Sequence, residues 1–154
     1  MSESCWVNRD NKVLTENNLI GTMPVCQAFV PPMKAAGSGS VVNIASVAAH
    51  FGVSMEVTYS TLKAAVVHYP RCLAKELRED GVRVNCVSPG ATKTARFEAT
   101  RVVDPKMMDS SIKSLIRYGE PEEMADAVAF LAGPRAKFIN GQVLRVDGGT
   151  SLFP

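Results

Sequence analysis

The sequence predicts an α/β protein built on a parallel sheet. Segments with helical periodicity alternate three times with short strands rich in β-branched residues. Strands that are apolar throughout are typical of a sheet buried on both faces. A length of 154 residues suits one domain with one core. We therefore expect three helices and three strands in strict alternation.

The amino-acid composition excludes several classes of protein. The chain is 46% hydrophobic and 21% charged, which excludes collagen-like and wholly disordered proteins. Its net charge of +2 comes from interleaved signs, so no nucleic-acid partner is predicted. No run of 18 apolar residues occurs, and the polar start lacks the pattern of a secretory signal. We expect a cytoplasmic protein that does not cross a membrane.

The cysteines do not form a recognisable pattern. Cys5, Cys26, Cys72 and Cys86 contain no Cys-x-x-Cys pair, and only two histidines accompany them. Neither a zinc site nor a disulfide framework follows from this spacing. We expect reduced, mostly buried thiols and no metal.

The first half of the chain predicts a leader, a helix and a strand. Residues 1 to 12 are expected to form a loose leader. Apolar residues then recur at helical spacing from 13 to 33, with a kink or a broken first half predicted from Pro24 and an end at Pro31-Pro32. The β-branched run 41 to 44 predicts the first strand.

The second half predicts two more helices and two more strands. The longest helical pattern covers 56 to 80, is interrupted by Pro70 and stops at Gly81. Strands are predicted at 82 to 87 and 142 to 146, with a helix between Glu120 and Gly133. The charged stretch 95 to 118 has no firm strand signal.

Ser46, Tyr59 and Lys63 form the most informative set of polar residues. Tyr59 and Lys63 are four apart at the start of a helix and share a face, while Ser46 follows the carboxyl end of a strand. A neighbouring ammonium favours the phenolate form of a tyrosine, and a serine hydroxyl can hold a substrate carbonyl oxygen. Taken alone, a Tyr-x-x-x-Lys pair is more often a simple helical neighbourhood.

Longer stretches of sequence strengthen the functional interpretation. The blocks are Val41-Val42-Asn43-Ile44-Ala45-Ser46, Tyr59-Ser60-Thr61-Leu62-Lys63-Ala64-Ala65-Val66, Val82-Arg83-Val84-Asn85-Cys86-Val87-Ser88-Pro89-Gly90, Gly119-Glu120-Pro121-Glu122-Glu123 and Gly141-Gln142-Val143-Leu144-Arg145-Val146-Asp147-Gly148-Gly149. In this order and spacing they closely resemble the short-chain dehydrogenase/reductases.

The resemblance implies a particular part of a known fold. It corresponds to the last three strands, with their helices, of a Rossmann-type doubly wound parallel sheet. Residues 13 to 154 are then the C-terminal part of a single domain. The resemblance also implies hydride transfer between an alcohol or carbonyl substrate and NAD or NADP.

Residue roles follow by the same resemblance. Tyr59 is similar to the family's general acid/base, and Lys63 to the residue that promotes proton release and binds the nicotinamide ribose. Ser46 matches the carbonyl-orienting hydroxyl. Asn18 matches an asparagine that holds a water in a proton relay, although its polar character also suits the start of a helix.

The turn after the second strand resembles the loop that cradles the nicotinamide. Pro89 and Gly90 open it, Thr92 is expected to offer its backbone, and Thr94 to contact the carboxamide; Tyr59 and Lys63 complete the expected cofactor contacts. Read without its neighbours, the Pro-Gly pair indicates an ordinary turn. The stretch 95 to 118 corresponds to the substrate lid, and a solvated charged face also accounts for its charges.

The cofactor's adenosine half has no counterpart in the sequence. No Gly-x-x-x-Gly-x-Gly loop occurs, nor the residue that selects between NAD and NADP. We therefore expect a truncated chain whose first strand is an open edge. One interpretation is an oxidoreductase, in whole or in part; the alternative is a non-catalytic remnant or a docking partner of full-length relatives. Family oligomers use helices present here, so a homo-oligomer is compatible with either.

Overall fold

The structure is a computed structural model and describes residues 11–54, 56–111 and 113–151. Most of the predicted leader, including Cys5, lies outside the described residues. The first helix begins at Asn11, two residues inside the segment expected to be a leader.

The described residues form one three-stranded parallel sheet. Its strands are β1 (Gly39–Ile44), β2 (Val82–Pro89) and β3 (Val143–Val146), in the order β1-β2-β3. Val41 pairs with Val84, and Val87 pairs with Leu144. The predicted parallel sheet is confirmed, and among the described residues β1 and β3 are its two edge strands.

Helices cover both faces of this sheet. The described residues form α1 (Asn11–Thr15), α2 (Thr22–Ala35), α3 (Val57–Leu77), α4 (Ala95–Thr100) and α5 (Pro121–Ala132), of which α2, α3 and α5 pack on the strands. On one face, Cys26 and Val30 of α2 and Leu77 of α3 pack with Val84. On the other, Leu131 of α5 packs against Val87. Helices on opposite faces of a parallel sheet define a doubly wound arrangement.

The first predicted helix is broken, but earlier than at Pro24. A π-helical turn, Glu16–Ile20, and Gly21 separate α1 from α2. Pro24 lies in the first turn of α2, where its missing N–H costs no helical hydrogen bond. The predicted end at Pro31-Pro32 is wrong, because α2 runs on to Ala35. The residues four positions earlier, Gln27 and Ala28, are exposed, so water can reach the carbonyls that these prolines leave unpaired.

The second predicted helix is continuous through Pro70. Pro70 is buried within α3, so packing of this face outweighs the lost backbone bond. A short 3-10 turn, Arg78–Asp80, follows, and Gly81 ends it with a positive φ of 71°. A Cβ there would come within 2.3 Å of the carbonyl oxygen of Gly37, which explains the glycine as the stop.

The last predicted helix and strand match the structure closely. α5 begins with Pro121 at its first position, and the Glu123 carboxylate accepts the N–H of Glu120 at 2.8 Å. In the described part of the chain, no helix combines the length and apolar character needed to cross a bilayer.

Candidate active site

Most of the predicted site residues lie at the carboxyl edge of the sheet. Ser46 follows β1 by two residues, and β2 ends at Pro89, directly before Gly90. Ligands of doubly wound proteins bind outside this edge because the loops that leave the strands gather there. The topology alone therefore brings together residues more than forty positions apart.

Tyr59 and Lys63 are neighbours on the first turns of α3, as predicted. The Lys63 Nζ atom lies 5.7 Å from the centre of the Tyr59 ring. The same ammonium donates a hydrogen bond to the carbonyl oxygen of Ile44 at 3.1 Å. This hydrogen bond links the start of α3 to the end of β1 and fixes the position of the Lys63 ammonium.

Burial also changes the acidity of Lys63. Removal from water lowers the pKa of its ammonium. A lower pKa makes the group a readier proton donor, which suits a lysine that passes protons to a neighbour.

Ser46 is oriented by the turn that it begins. Its hydroxyl oxygen accepts the N–H of Ala48 at 3.2 Å and caps the 3-10 turn Val47–Ala49. This turn packs against α3. Because the oxygen acts as acceptor in the cap, its hydrogen stays available for donation to a substrate.

Asn18 lies within the π-helical turn, an irregularity often found at functional sites. Its side-chain amide nitrogen donates to the backbone carbonyl of Leu14 at 3.0 Å. The backbone carbonyl of Asn18 accepts a hydrogen bond from the Thr22 hydroxyl, also at 3.0 Å. Leu19 beside it packs against the cluster that contains Val66 of α3. The π-turn is therefore anchored to the helix that carries Tyr59.

The loop after β2 is held close to the end of β3. A Cβ on Gly90 would lie 2.8 Å from the Cβ of Asp147, so only glycine fits at this approach. The Thr92 hydroxyl donates to the Gly90 carbonyl at 2.9 Å. The Thr94 hydroxyl oxygen caps α4 by accepting the N–H of Phe97 at 3.1 Å.

A single parallel bridge joins this loop to the chain before α5. The N–H of Gly119 donates to Ala91 and the N–H of Lys93 donates to Gly119, both at 2.9 Å. Backbone groups alternate in direction along an extended strand. The N–H and C=O of Thr92 therefore face away from the bridge and can meet a ligand.

His50 and Ser88 form a contact near the carboxyl edge of the sheet that the sequence does not predict. The Nε2 atom of His50 lies 3.0 Å from the hydroxyl of Ser88, which is fully buried near the end of β2. Burial, followed by the charges of Arg145 and Arg71, lowers the pKa of His50. This hydrogen bond links the chain after Ser46 to β2. The two residues are 38 positions apart in the sequence, so no local sequence pattern predicts the bond.

The stretch 95 to 118, the expected lid, has its two ends in contact with each other. The Phe97 and Tyr118 rings meet edge to face at 4.9 Å between centres. The Lys93 ammonium contacts the Glu120 carboxylate at 2.6 Å, and both groups also contact Ser110. Lys93 thus links the loop after β2 to the lid and to α5.

The residues present fit half of a nicotinamide dinucleotide. Lys63, the free backbone of Thr92 and the hydroxyl of Thr94 offer polar groups to a nicotinamide and its ribose. Within the described ranges no strand lies beyond β1, and the sequence holds no glycine-rich loop for a pyrophosphate. No three His, Cys, Asp or Glu side chains among the described residues are grouped as a metal site requires.

Comparison with known proteins decides the family. The family model described as Enoyl-(Acyl carrier protein) reductase matches residues 8–151. The chain belongs to the short-chain dehydrogenase/reductase family. It is 36% identical over 151 residues to the 3-oxoacyl-[acyl-carrier-protein] reductase FabG of Chlamydia muridarum, a match that covers 97% of this chain and 58% of the relative.

Solved structures of this family agree with the fold. A gluconate 5-dehydrogenase from Burkholderia cenocepacia, solved with NADP and tartrate, is 29% identical with a TM-score of 0.87, covering 99% of this chain and 61% of that one. A 7α-hydroxysteroid dehydrogenase, solved with NADH and 7-oxo glycochenodeoxycholic acid, is 32% identical with a TM-score of 0.81, covering 91% of this chain and 55% of that one. The chain spans little more than half the length of these relatives.

Proposed function

We propose that this chain carries the catalytic part of an NAD(P)-dependent oxidoreductase that interconverts an alcohol and a carbonyl. The observation that carries the proposal is the placement of the Lys63 ammonium 5.7 Å from the Tyr59 ring, held there by the Ile44 carbonyl. Residues 13 to 154 are then the C-terminal part of one domain.

Tyr59 is the proposed general acid and base. In carbonyl reduction its hydroxyl gives a proton to the oxygen of the substrate, and in alcohol oxidation the phenolate takes that proton back. The adjacent Lys63 charge stabilises the phenolate. Ser46, whose hydroxyl hydrogen is not used by its own cap, donates to the same substrate oxygen and holds it in place.

Most of the proposed cofactor contacts come from the loop after β2. A nicotinamide cofactor, when bound, supplies or accepts the hydride. Pro89 and Gly90 shape the loop, the backbone of Thr92 and the hydroxyl of Thr94 bind the carboxamide, and Lys63 binds the ribose. Either NAD or NADP is compatible with these residues.

Asn18 is proposed to complete a proton relay. Leu19 beside it packs against the cluster that contains Val66 of α3, and the lowered pKa of Lys63 suits a group that receives protons through water and returns them to Tyr59. The stretch 95 to 118 is the proposed lid over a small-molecule substrate.

A second candidate is a docking role without catalysis. The observation that favours it is that no strand among the described residues pairs with the outer side of β1, so its backbone there can pair with a separate polypeptide. Association with full-length relatives, or with further copies of the chain, belongs to this candidate.

A fusion experiment tests the catalytic proposal. The part of the Chlamydia muridarum FabG that precedes its match would be fused ahead of residue 13, and oxidation of NADH and NADPH would be followed with a panel of aldehydes and ketones. We expect turnover by the fusion and its loss in the Tyr59→Phe fusion. A folded fusion with no turnover on any carbonyl would favour the docking candidate.

A further inference from the structure

The turn that begins at Ser46 is bonded to β2 at both of its ends. Before the turn, the N–H of Ala45 donates to the carbonyl of Val87 at 2.8 Å. After it, the Nε2 atom of His50 lies 3.0 Å from the hydroxyl oxygen of Ser88. Val87 and Ser88 are consecutive residues of β2, so the two bonds hold the intervening turn on the end of one strand.

Ser88 is a firm anchor for the second of these bonds. Its side chain is fully buried, and a buried hydroxyl without a partner is costly because it has left water and gained no bond in exchange. Ser88 also directly precedes Pro89 and Gly90, which open the loop after β2. His50 therefore links the turn that carries Ser46 to the strand that leads into the proposed nicotinamide loop.

Hydrogen bonds inside the turn connect His50 to Ser46. The N–H of His50 donates to the carbonyl of Val47 at 2.9 Å, and the N–H of Ala49 donates to the carbonyl of Ser46 at 3.0 Å. Ala48 is buried, and its N–H donates to the Ser46 hydroxyl oxygen. A displacement of His50 would therefore reach the Ser46 hydroxyl through consecutive bonds.

The chain just beyond His50 gives the turn little support. Phe51 and Gly52 are exposed, and no atom lies within 4 Å of the position that a Cβ on Gly52 would take. Ala49, in contrast, packs against the cluster that contains Val66 of α3. Without the bond between His50 and Ser88, the turn would loosen at its far end and stay folded.

The imidazole of His50 is uncharged at neutral pH. Burial, and then the charges of Arg145 on β3 and Arg71 on α3, lower the pKa of His50, while the charge of Asp147 opposes them. Histidine with an ordinary pKa is already mostly neutral at pH 7, so the neutral ring is the form that meets Ser88. A neutral amide of similar reach can therefore replace it.

We propose that His50 is a positioning residue for Ser46 and acts through its bond to Ser88. The bond sets the distance between the Ser46 hydroxyl and the loop after β2, and so the geometry between the substrate oxygen and the nicotinamide. This inference rests on the proposed function, in which Ser46 holds the substrate oxygen. His50 itself contacts neither substrate nor cofactor in this account.

Two amide variants test the bond in the fusion that carries the catalytic proposal. His50→Gln can bring its amide to Ser88, whereas His50→Asn holds the same amide one methylene short of it. We expect His50→Asn to lower kcat by roughly tenfold with the KM for NADH or NADPH unchanged, because small misplacements at a reacting centre slow the reaction. His50→Gln should restore kcat. His68→Asn, at an exposed position of α3, is the matched control and should match the parent.

A double-variant cycle shows whether His50 acts through Ser46. In a fusion that already carries Ser46→Ala, His50→Asn should change kcat by less than about twofold, because the hydroxyl that it positions is gone. A loss of roughly tenfold in both backgrounds would mean that His50 acts on another group, and the proposal would be wrong.

Amide hydrogen exchange of the unfused chain tests the same link without catalysis. The Ala48 N–H is protected by its bond to the Ser46 hydroxyl oxygen, so His50→Asn should speed its exchange by roughly threefold or more. His50→Gln should restore the parent rate, and the Cys86 amide, bonded to the carbonyl of Gln142 within the sheet, should not change. Unchanged exchange at Ala48 in His50→Asn would overturn the proposal.

The two measurements separate this inference from the proposed function. A folded fusion without turnover on any carbonyl would contradict the proposed function, and the exchange at Ala48 would then decide whether His50 positions Ser46. Equal loss of kcat in His50→Gln and His50→Asn would overturn the inference alone. Should His50→Asn fail to fold by circular dichroism, Ser88→Ala removes the same bond from the other side, and full turnover by that folded variant would also overturn it.

Discussion

The carboxyl edge of the sheet and the open side of β1 differ in how far their polar groups are satisfied. At the carboxyl edge, Ser46, Lys63, Gly90 and Thr94 are each held by a bond or contact to another element or to a cap. Along the open side of β1, in the part of the chain described, the outward backbone groups of Ser40 and Val42 have no strand partner. The difference indicates that the geometry of the carboxyl edge is fixed by contacts among the described residues, whereas the outer side of β1 is fixed by fewer of them.

The largest expected effect is at Tyr59. In the fusion that restores turnover, Tyr59→Phe removes the proton donor without changing the ring that packs beside Lys63. We expect a rate loss of roughly 10²–10⁴-fold, the usual contribution of acid/base catalysis. Steady-state kinetics measures it, with the thermal midpoint as the control for folding. Near-full turnover by the variant would show that the carboxyl edge is not the catalytic region.

Ser46→Ala should have a smaller and more selective effect. Loss of one preorganised donor costs about 3–4 kcal/mol in the transition state, equivalent to roughly 10²–10³-fold in rate. Cofactor affinity should change little, because the hydroxyl acts on the substrate oxygen. Turnover rates and cofactor dissociation constants, compared in the same fusion, separate the two effects. Equal losses in both would assign Ser46 a structural role.

Gly90→Ala tests whether the carboxyl edge is as tightly built as the structure indicates. A new Cβ would stand 2.8 Å from the Cβ of Asp147, and overpacking of this kind costs about 1–3 kcal/mol. Gly52→Ala is the matched control, since no atom lies within 4 Å of its Cβ position. Urea unfolding of the two variants gives the difference. A Gly90→Ala chain as stable as the Gly52→Ala chain would mean that the loop after β2 is loosely held.

The smallest expected effect concerns the base of the lid. Arg117 binds Glu123 through two bonds, of 2.9 and 2.6 Å, and lowers the pKa of Glu123 to about 2. The ion pair therefore stabilises the fold fully above the ordinary glutamate pKa, and this contribution is lost as the pH falls towards 2. Because Glu123 is 42% exposed, solvent screening limits the contribution to below about 1 kcal/mol.

Glu123→Gln measures that contribution. The variant should melt slightly below the parent at pH 7, and the difference should shrink as the pH falls below 4. Glu79→Gln is the control, because its side chain is 87% exposed. A gap that widens in acid would contradict the assigned direction of the pKa shift.

The sequence predicted the sheet well because its strands are uniform apolar runs with turn residues at their ends. It predicted the Tyr59 and Lys63 pair because a spacing of four on a helix fixes their proximity. It wrongly predicted a helix end at Pro31-Pro32 and an interruption at Pro70, because solvent access and packing decide whether a helix continues through a proline. The bond between His50 and Ser88 and the contacts of Lys93 join distant segments, so no local pattern predicts them.

The central claim is that these 154 residues hold the catalytic groups but not enough of the cofactor site to work alone. Titration calorimetry of the purified chain with NADH and NADPH, paired with the carbonyl panel, tests it most directly. We predict neither micromolar binding nor turnover by the chain alone, and both by the fusion, since the pyrophosphate supplies much of a dinucleotide's affinity. Micromolar binding with measurable turnover by the unfused chain would contradict the account.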